Sequence, residues 1–265
     1  MRNFDYHRVA DLDEARKIYS ASEDGKFMAG GMTLLPTLKQ RLAAPSDLVD
    51  LGAIEGLKGV SRDGDTITIG AMTTHAEVAA SDVVRGAIPA LATLAGGIGD
   101  PAVRHRGTIG GSVANADPAA DYPGGVVGLG ATVITDRREI PGDEYFVGLF
   151  ETALEDGELV TAVRFPIPQK AHYLKFRHTA SGYAVVGVMV AQTTDGVRVG
   201  VTGAGPYAFR ASAFEQALAS DFSVAAVEKV SLDAEGLLSD IHFSAGYRAH
   251  IVGVYVRRAV AALTA

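Results

Sequence analysis

The chain has 265 residues, 48% of them hydrophobic, and a formal net charge of −7. That is enough apolar material for one large domain or two smaller ones, and the acidic balance argues against a nucleic-acid surface, which needs clustered Lys and Arg. There is no Cys, so disulfides, thiolate nucleophiles and cysteine-held zinc or iron–sulfur clusters are excluded from the chain itself.

The first residues carry no apolar signal-peptide core. The longest apolar run, Ala184 to Ala191 with its Gly, is too short to cross a bilayer. A cytoplasmic protein without a membrane span is expected. Asp11 and Asp13 introduce a helical stretch with Ala15, Ile18 and Tyr19 on one face, closed by Gly25. Lys26–Met28 reads as a strand entering A-G-G-M-T-L-L-P, Ala29 to Pro36. There Thr33 can cap a helix striped with Leu34, Leu35, Leu38 and Leu42, and Pro36 is tolerated in its first turn. With a strand at Leu48–Leu51, this makes a strand, helix, strand, helix, strand unit. Its glycine loop sits at a helix N-terminus, where free N–H groups and the dipole favour phosphate.

From Gly59 the pattern turns antiparallel, with a hairpin signal at Asp63-Gly64 and alternation at Ile67 and Ile69. Helix is expected from Thr74 to Leu94, interrupted by Pro89. G-I-G-D-P-A, from Gly97 to Ala102, follows a helical pattern and contains Pro101, so it is not a Rossmann fingerprint. Beyond it come a strand at Ala131–Thr135, a short helix near Glu144–Phe150 and a strand at Leu159–Phe165. Pro166 and Pro168 mark a domain boundary. Strands at Tyr173–His178, Ala184–Gln192 and Val197–Gly203 follow, the last two joined through Asp195-Gly196. Helices at Phe209–Leu218 and Tyr247–Leu263 complete a smaller α+β domain.

Between these elements lies T-I-G-G-S-V-A-N-A-D-P-A-A-D-Y-P, Thr108 to Pro123, which reads as a polar, glycine-broken loop. Gly has no Cβ, so a Gly-Gly step lets backbone amides close on an anion. Two such segments can clamp one extended phosphate ligand. Asn115, Asp117 and Asp121 add hydrogen-bonding groups at a density that a plain turn seldom needs. His105, His172, His178, His242 and His250 show no metal-ligand spacing, so no metal is expected. With no nucleophile elbow and no paired-carboxylate pattern, no catalytic side chain is assigned. A bound cofactor is expected to carry the chemistry.

A-G-G-M-T-L-L-P-T-L-K-Q-R-L and R-H-R-G-T-I-G-G-S-V-A-N-A-D-P-A-A-D-Y-P resemble the two flavin-binding segments of the FAD-carrying medium subunit of molybdenum hydroxylases, the carbon monoxide dehydrogenase and xanthine dehydrogenase family. The resemblance implies an α+β protein. Its residues 1–168 would form a PCMH-type (vanillyl-alcohol-oxidase-like) FAD-binding domain of two α/β subdomains, about 1–52 and 53–168. Residues 169–265 would form the small C-terminal α+β domain, an antiparallel sheet with helices. It places the FAD pyrophosphate between Ala29, Gly30, Gly31, Met32, Thr33 and Thr108, Ile109, Gly110, Gly111, Ser112. Asp121 is implied as an FAD contact, suited to adenosine hydroxyls. Asn115 and Asp117 either contact FAD or stabilise the loop by Asx-turn bonds. Ile98 and Val160 either pack on the cofactor or belong to the core. Lys175 is either a cation near the flavin or an exposed strand lysine, and Tyr183 stands where relatives place an aromatic beside the isoalloxazine ring. Met32 departs from the polar residue, often His, that many relatives carry there, so the side-chain contact of that residue is not expected here.

The implied activity is electron transfer. FAD on this chain takes electrons from [2Fe-2S] clusters on a small partner, which a molybdenum cofactor in a large partner reduces, and passes them to an external acceptor. The implied assembly is a dimer of heterotrimers, with the substrate bound only in the large subunit. A stand-alone flavin oxidase or dehydrogenase and a flavin-free assembly or regulatory subunit are the alternatives. The stretch 169–265, small for a substrate-covering domain, weighs against the first, and two intact glycine segments against the second.

Overall fold

A computed structural model describes residues 1–265. Its N-terminal unit alternates as expected through β1 (Asp5–Arg8), α1 (Leu12–Ala21), β2 (Gly25–Met28), α2 (Leu34–Lys39) and β3 (Asp47–Asp50). The strands are parallel in the order β1-β3-β2. Asp11 caps α1 by accepting the Glu14 N–H at 2.8 Å. Thr33 holds the cap position of α2 but makes no side-chain cap bond. Leu42 is exposed, so the expected leucine stripe reduces to Leu38 as its fully buried member.

The hairpin of β4 (Val60–Asp63) and β5 (Thr66–Gly70) pairs Asp63 with Thr66, so its turn is Gly64-Asp65, one residue later than read. The stretch expected to be helical from Thr74 is three helices, α3 (His75–Ala80), α4 (Asp82–Ala87) and α5 (Pro89–Gly96). The Ser81 hydroxyl accepts the Val84 N–H and starts α4. Pro89 sits in the first turn of α5, where its missing N–H is not needed. After α6 (Pro101–Arg106) come α7 (Ile109–Asn115), α8 (Asp121–Leu129), β6 (Thr132–Thr135), β7 (Glu139–Pro141), α9 (Gly142–Tyr145), β8 (Phe146–Gly148), β9 (Glu151–Thr152) and β10 (Val160–Pro166). The helix read at Glu144–Phe150 is therefore α9 followed by a two-stranded β8–β9 ribbon. The second sheet is antiparallel, β4-β5-β10-β6-β7.

The last sheet, β11 (Lys170–Arg177), β12 (Ala184–Thr193), β13 (Gly196–Thr202) and β14 (Phe209–Arg210), is an antiparallel run packed by α10 (Ser212–Ser220), α11 (Val224–Val227) and α12 (Ala245–Thr264). Phe209 and Arg210 pair with β13 as an edge strand, so α10 begins later than the periodicity suggests.

The largest correction concerns Thr108–Pro123, which is not a polar loop. Ile109, Gly110 and Val113 of α7 are buried, and so is every residue of α8. A helix enclosed on all sides has no polar face, so it shows no amphipathic period. Small residues let α8 lie directly on β13: a Cβ on Gly200 would meet the Gly124 carbonyl oxygen and the Gly128 nitrogen at 2.4 Å. Arg198 fastens the far end of α8, donating to the Val127 carbonyl at 2.8 Å and pairing with Asp143. The main apolar core runs from Ile67 and Ile69 through Leu91, Leu94 and Val126 to Tyr173 and Met189, and so crosses the Pro166–Pro168 segment. Gly200→Ala is expected to destabilise the fold by about 1–3 kcal/mol through overpacking against backbone that cannot turn aside. Urea unfolding checks this, and a variant as stable as the parent contradicts the close approach.

Candidate functional site

A cleft of about 520 Å³ opens where the parallel sheet, the antiparallel sheet and the last sheet converge. The end of β2 delivers Ala29 to Thr33 to one wall, and the start of α7 delivers Thr108, Gly110, Gly111 and Ser112 to another. Gly30 has to be glycine, because a Cβ there would lie 1.8 Å from the Arg106 carbonyl oxygen. Gly31 turns the chain through φ 73°, in the left-handed region.

The two glycine segments differ in what they offer a ligand. The N–H groups of Gly30, Gly31, Met32 and Thr33 have no backbone carbonyl partner. Four consecutive open donors beside a cleft form an anion nest. In the second segment every donor but the Thr108 N–H is spent. Ile109 donates to the Thr73 carbonyl at 3.1 Å, Gly110 to Ala71 at 2.8 Å and Ser112 to Thr108 at 3.0 Å. Gly111 donates to the Thr108 hydroxyl at 3.1 Å. These bonds fix the start of α7 against the turn after β5, so this segment presents hydroxyls, the single Thr108 amide and a close backbone surface in place of a run of free amides. Ile109 does not line the cleft. Its side chain is fully buried in the main core, which corrects the expectation that it faces the ligand.

Asn115 and Asp117 line the cleft beyond α7. Asp117 takes the Asx-turn option, its Oδ1 accepting the Ala119 N–H at 2.8 Å, and burial raises its pKa. Asp121 and Lys175 form a buried ion pair at 2.7 Å, with side chains 3% and 9% exposed. Tyr173 donates to the other oxygen of Asp121 at 2.5 Å. Lys175 is thus neither an exposed strand lysine nor a free cation, and both Asp121 oxygens already have a protein donor. Burial pushes the Asp121 carboxyl pKa up while Lys175 and Tyr173 pull against it.

Ile98 and Val160 both line the cleft, as do Met32 and Tyr183, whose rings or chains stay 37% and 45% exposed. The sequence reading passes over His75, Leu159 and Glu158, which also line it. One signal for His75 was available: T-T-H-A-E carries a capping box, formed here by Thr74 and Glu77, which fixes the residue between them at the start of α3.

Glu158 is held by Arg138 at 3.0 Å, the Thr135 hydroxyl at 2.7 Å and the Glu155 N–H at 2.7 Å. The Arg138 hydrogen bonds, first among these, pull its pKa down to about 2. A carboxyl lowered in the folded state stabilises above its unfolded pKa, and that contribution is lost as pH falls through the folded value. With Arg138 43% exposed and so partly screened by solvent, the expected contribution is about 1–3 kcal/mol at pH 7. The urea midpoint of the parent should therefore exceed that of Glu158→Gln at pH 7, and the gap should close between about pH 5 and pH 2. A gap that is constant with pH contradicts the assignment.

No helix is long and apolar enough to cross a membrane. Residues 2–168 match the family model described as the FAD binding domain in molybdopterin dehydrogenase. The carbon monoxide dehydrogenase medium chain of Afipia carboxidovorans is 35% identical, over 97% of this chain and 96% of that protein. The nicotine 6-hydroxylase medium subunit of Paenarthrobacter nicotinovorans is also 35% identical, over 96% and 95%. Among solved structures, carbon monoxide dehydrogenase from Hydrogenophaga pseudoflava superposes with a TM-score of 0.89 at 32% identity, covering 99% of this chain and 97% of that one. Family match, end-to-end relatives and superposition agree: the chain belongs to the FAD-binding medium subunits of the molybdenum hydroxylases.

Proposed function

We propose that this chain is the flavin subunit of a three-subunit molybdenum hydroxylase and carries electrons from iron–sulfur clusters on a small partner to an external acceptor. The observation that carries this reading is the set of four open amides at Gly30–Thr33, in a cleft floored by the start of α7. That arrangement suits a diphosphate without requiring a cation. The relatives matched along their whole length are named as medium chains or subunits, which favours a subunit over a free-standing oxidase.

When bound, FAD supplies the redox chemistry. The chain binds and orients it. The nest would hold the diphosphate, Ile98 and Val160 would offer apolar contact, Tyr183 lines the cleft while half exposed, and Lys175 would offer the flavin a cation whose charge Asp121 balances. Residues 1–168 form the FAD-binding part, in subdomains of about 1–52 and 53–168, and residues 169–265 the smaller domain. The end of the family match at residue 168 supports this division. The molybdenum cofactor and its substrate lie in a large partner, and two such heterotrimers pair.

Anaerobic mixing of substrate with the purified complex tests the function. Flavin bleaching at 450 nm is expected in the complex, at the rate of turnover, and not in the isolated chain. Substrate oxidation that reduces the iron–sulfur clusters of the complex and leaves its flavin oxidised contradicts it.

A further inference from the structure

His75 has no assigned role, yet it is 5% exposed and lines the cleft. Its Nδ1 is sealed from solvent with no hydrogen-bond partner, beside the Tyr122 ring at 5.3 Å between centroids. The other ring nitrogen, Nε2, is not among the sealed unpartnered atoms and lies against Gly107, which also lines the cleft. A sealed N–H without an acceptor costs more than a sealed lone pair. The ring proton therefore belongs on Nε2, as a donor on the Gly107 side of the ring. Burial and the nearby Arg104, itself held by the carbonyls of Ile98 and Gly99 at 3.0 Å, keep the ring neutral, with a pKa of about 4.

The backbone fixes where this donor stands. The His75 N–H is bonded to the Gly107 carbonyl at 2.9 Å. A Cβ on Gly107 would lie 2.6 Å from Nε2, and a Cβ on Gly30 would lie 2.9 Å from the Gly107 Cα. Gly107 thus touches both the imidazole and the first residue of the open nest. No other side chain with an unpartnered sealed nitrogen lines the cleft.

We propose that His75 is a cofactor-binding residue whose Nε2–H donates a hydrogen bond to a phosphate oxygen of the dinucleotide seated on the Gly30–Thr33 nest. The inference rests on the reading that FAD occupies this cleft. It gives the site a side-chain donor that Met32 does not supply, in a ring whose orientation is set before the ligand arrives. The sealed Nδ1 serves that purpose, since with no partner of its own it leaves a single tautomer and an undivided donor.

The test uses the full chain, or its complex with the partner subunits, labelled with ¹⁵N-histidine and ¹⁵N-glycine and titrated with FAD. The expected result is a neutral, Nε2-protonated His75 in both states, with its Nε2–H shifted and slowed in exchange by FAD while the Gly30 and Gly31 amides also shift. His75→Ala is expected to weaken FAD binding about tenfold or more, and His75→Gln, whose amide can still donate, to recover most of that loss. Unmoved His75 nitrogens alongside moved glycine amides overturn this proposal alone. Glycine amides that do not move overturn the placement of FAD as well. Should His75→Ala not fold, the wild-type spectra decide.

Discussion

Gly30→Ala is expected to yield a folded protein that no longer retains FAD. The new methyl would have to occupy space 1.8 Å from the Arg106 carbonyl oxygen and 2.9 Å from the Gly107 Cα, both backbone atoms. The strain is relieved by pushing the Ala29–Thr33 segment off the 106–107 backbone, which splays the open donors. Losing two or more hydrogen bonds to a charged diphosphate predicts affinity weaker by about 100-fold or more. Flavin content after gel filtration and a fluorescence titration measure it. Gly56→Ala, where a Cβ meets nothing within 4 Å, is the control and should keep its FAD. Equal FAD affinity in both variants contradicts the nest.

The second large effect is at Asp121. Removing the carboxylate by Asp121→Ala leaves the Lys175 ammonium buried without its partner and the Tyr173 hydroxyl without its acceptor. Breaking a buried pair in this way is expected to cost about 3–5 kcal/mol of stability. Asp121→Asn keeps the shape but not the counter-charge. In the flavin-loaded protein it should move the reduction potential upward, because an uncompensated cation favours the more negative, reduced flavin. Adding Lys175→Met to Asp121→Asn should return both stability and potential toward the parent. A double variant no more stable than either single one would show that the two side chains do not act as a pair.

Much of this was legible in the residues. The strand–helix alternation of the first fifty residues, the hairpin after Gly59 and the strands of the last sheet follow from periodicity and turn chemistry, and the two glycine segments do lie on one cleft. What could not be read was the state of the second segment. Its paired glycine, hydroxyls, asparagine and carboxylates suggested a loop, whereas Gly110 is small because α7 lies against the turn after β5, and the helix that starts at Asp121 is enclosed on all sides. Pairings distant in sequence were equally hidden. Nothing local joins Asp121 to Tyr173 and Lys175, and His75 stands out only once its ring is seen sealed on one side and open on the other. The caps at Ser81 and Thr74 were local signals that a long helical pattern masked.

The most direct test of the account is amide hydrogen exchange with and without FAD, on the full chain or its purified complex. FAD should bind one per chain and slow exchange strongly at Gly30, Gly31, Met32 and Thr33, whose N–H groups have no carbonyl partner in the protein. Ile109 and Gly110, already bonded to Thr73 and Ala71, should change far less. Protein that takes up no flavin in either form, or FAD protection that leaves Gly30–Thr33 untouched, would contradict it.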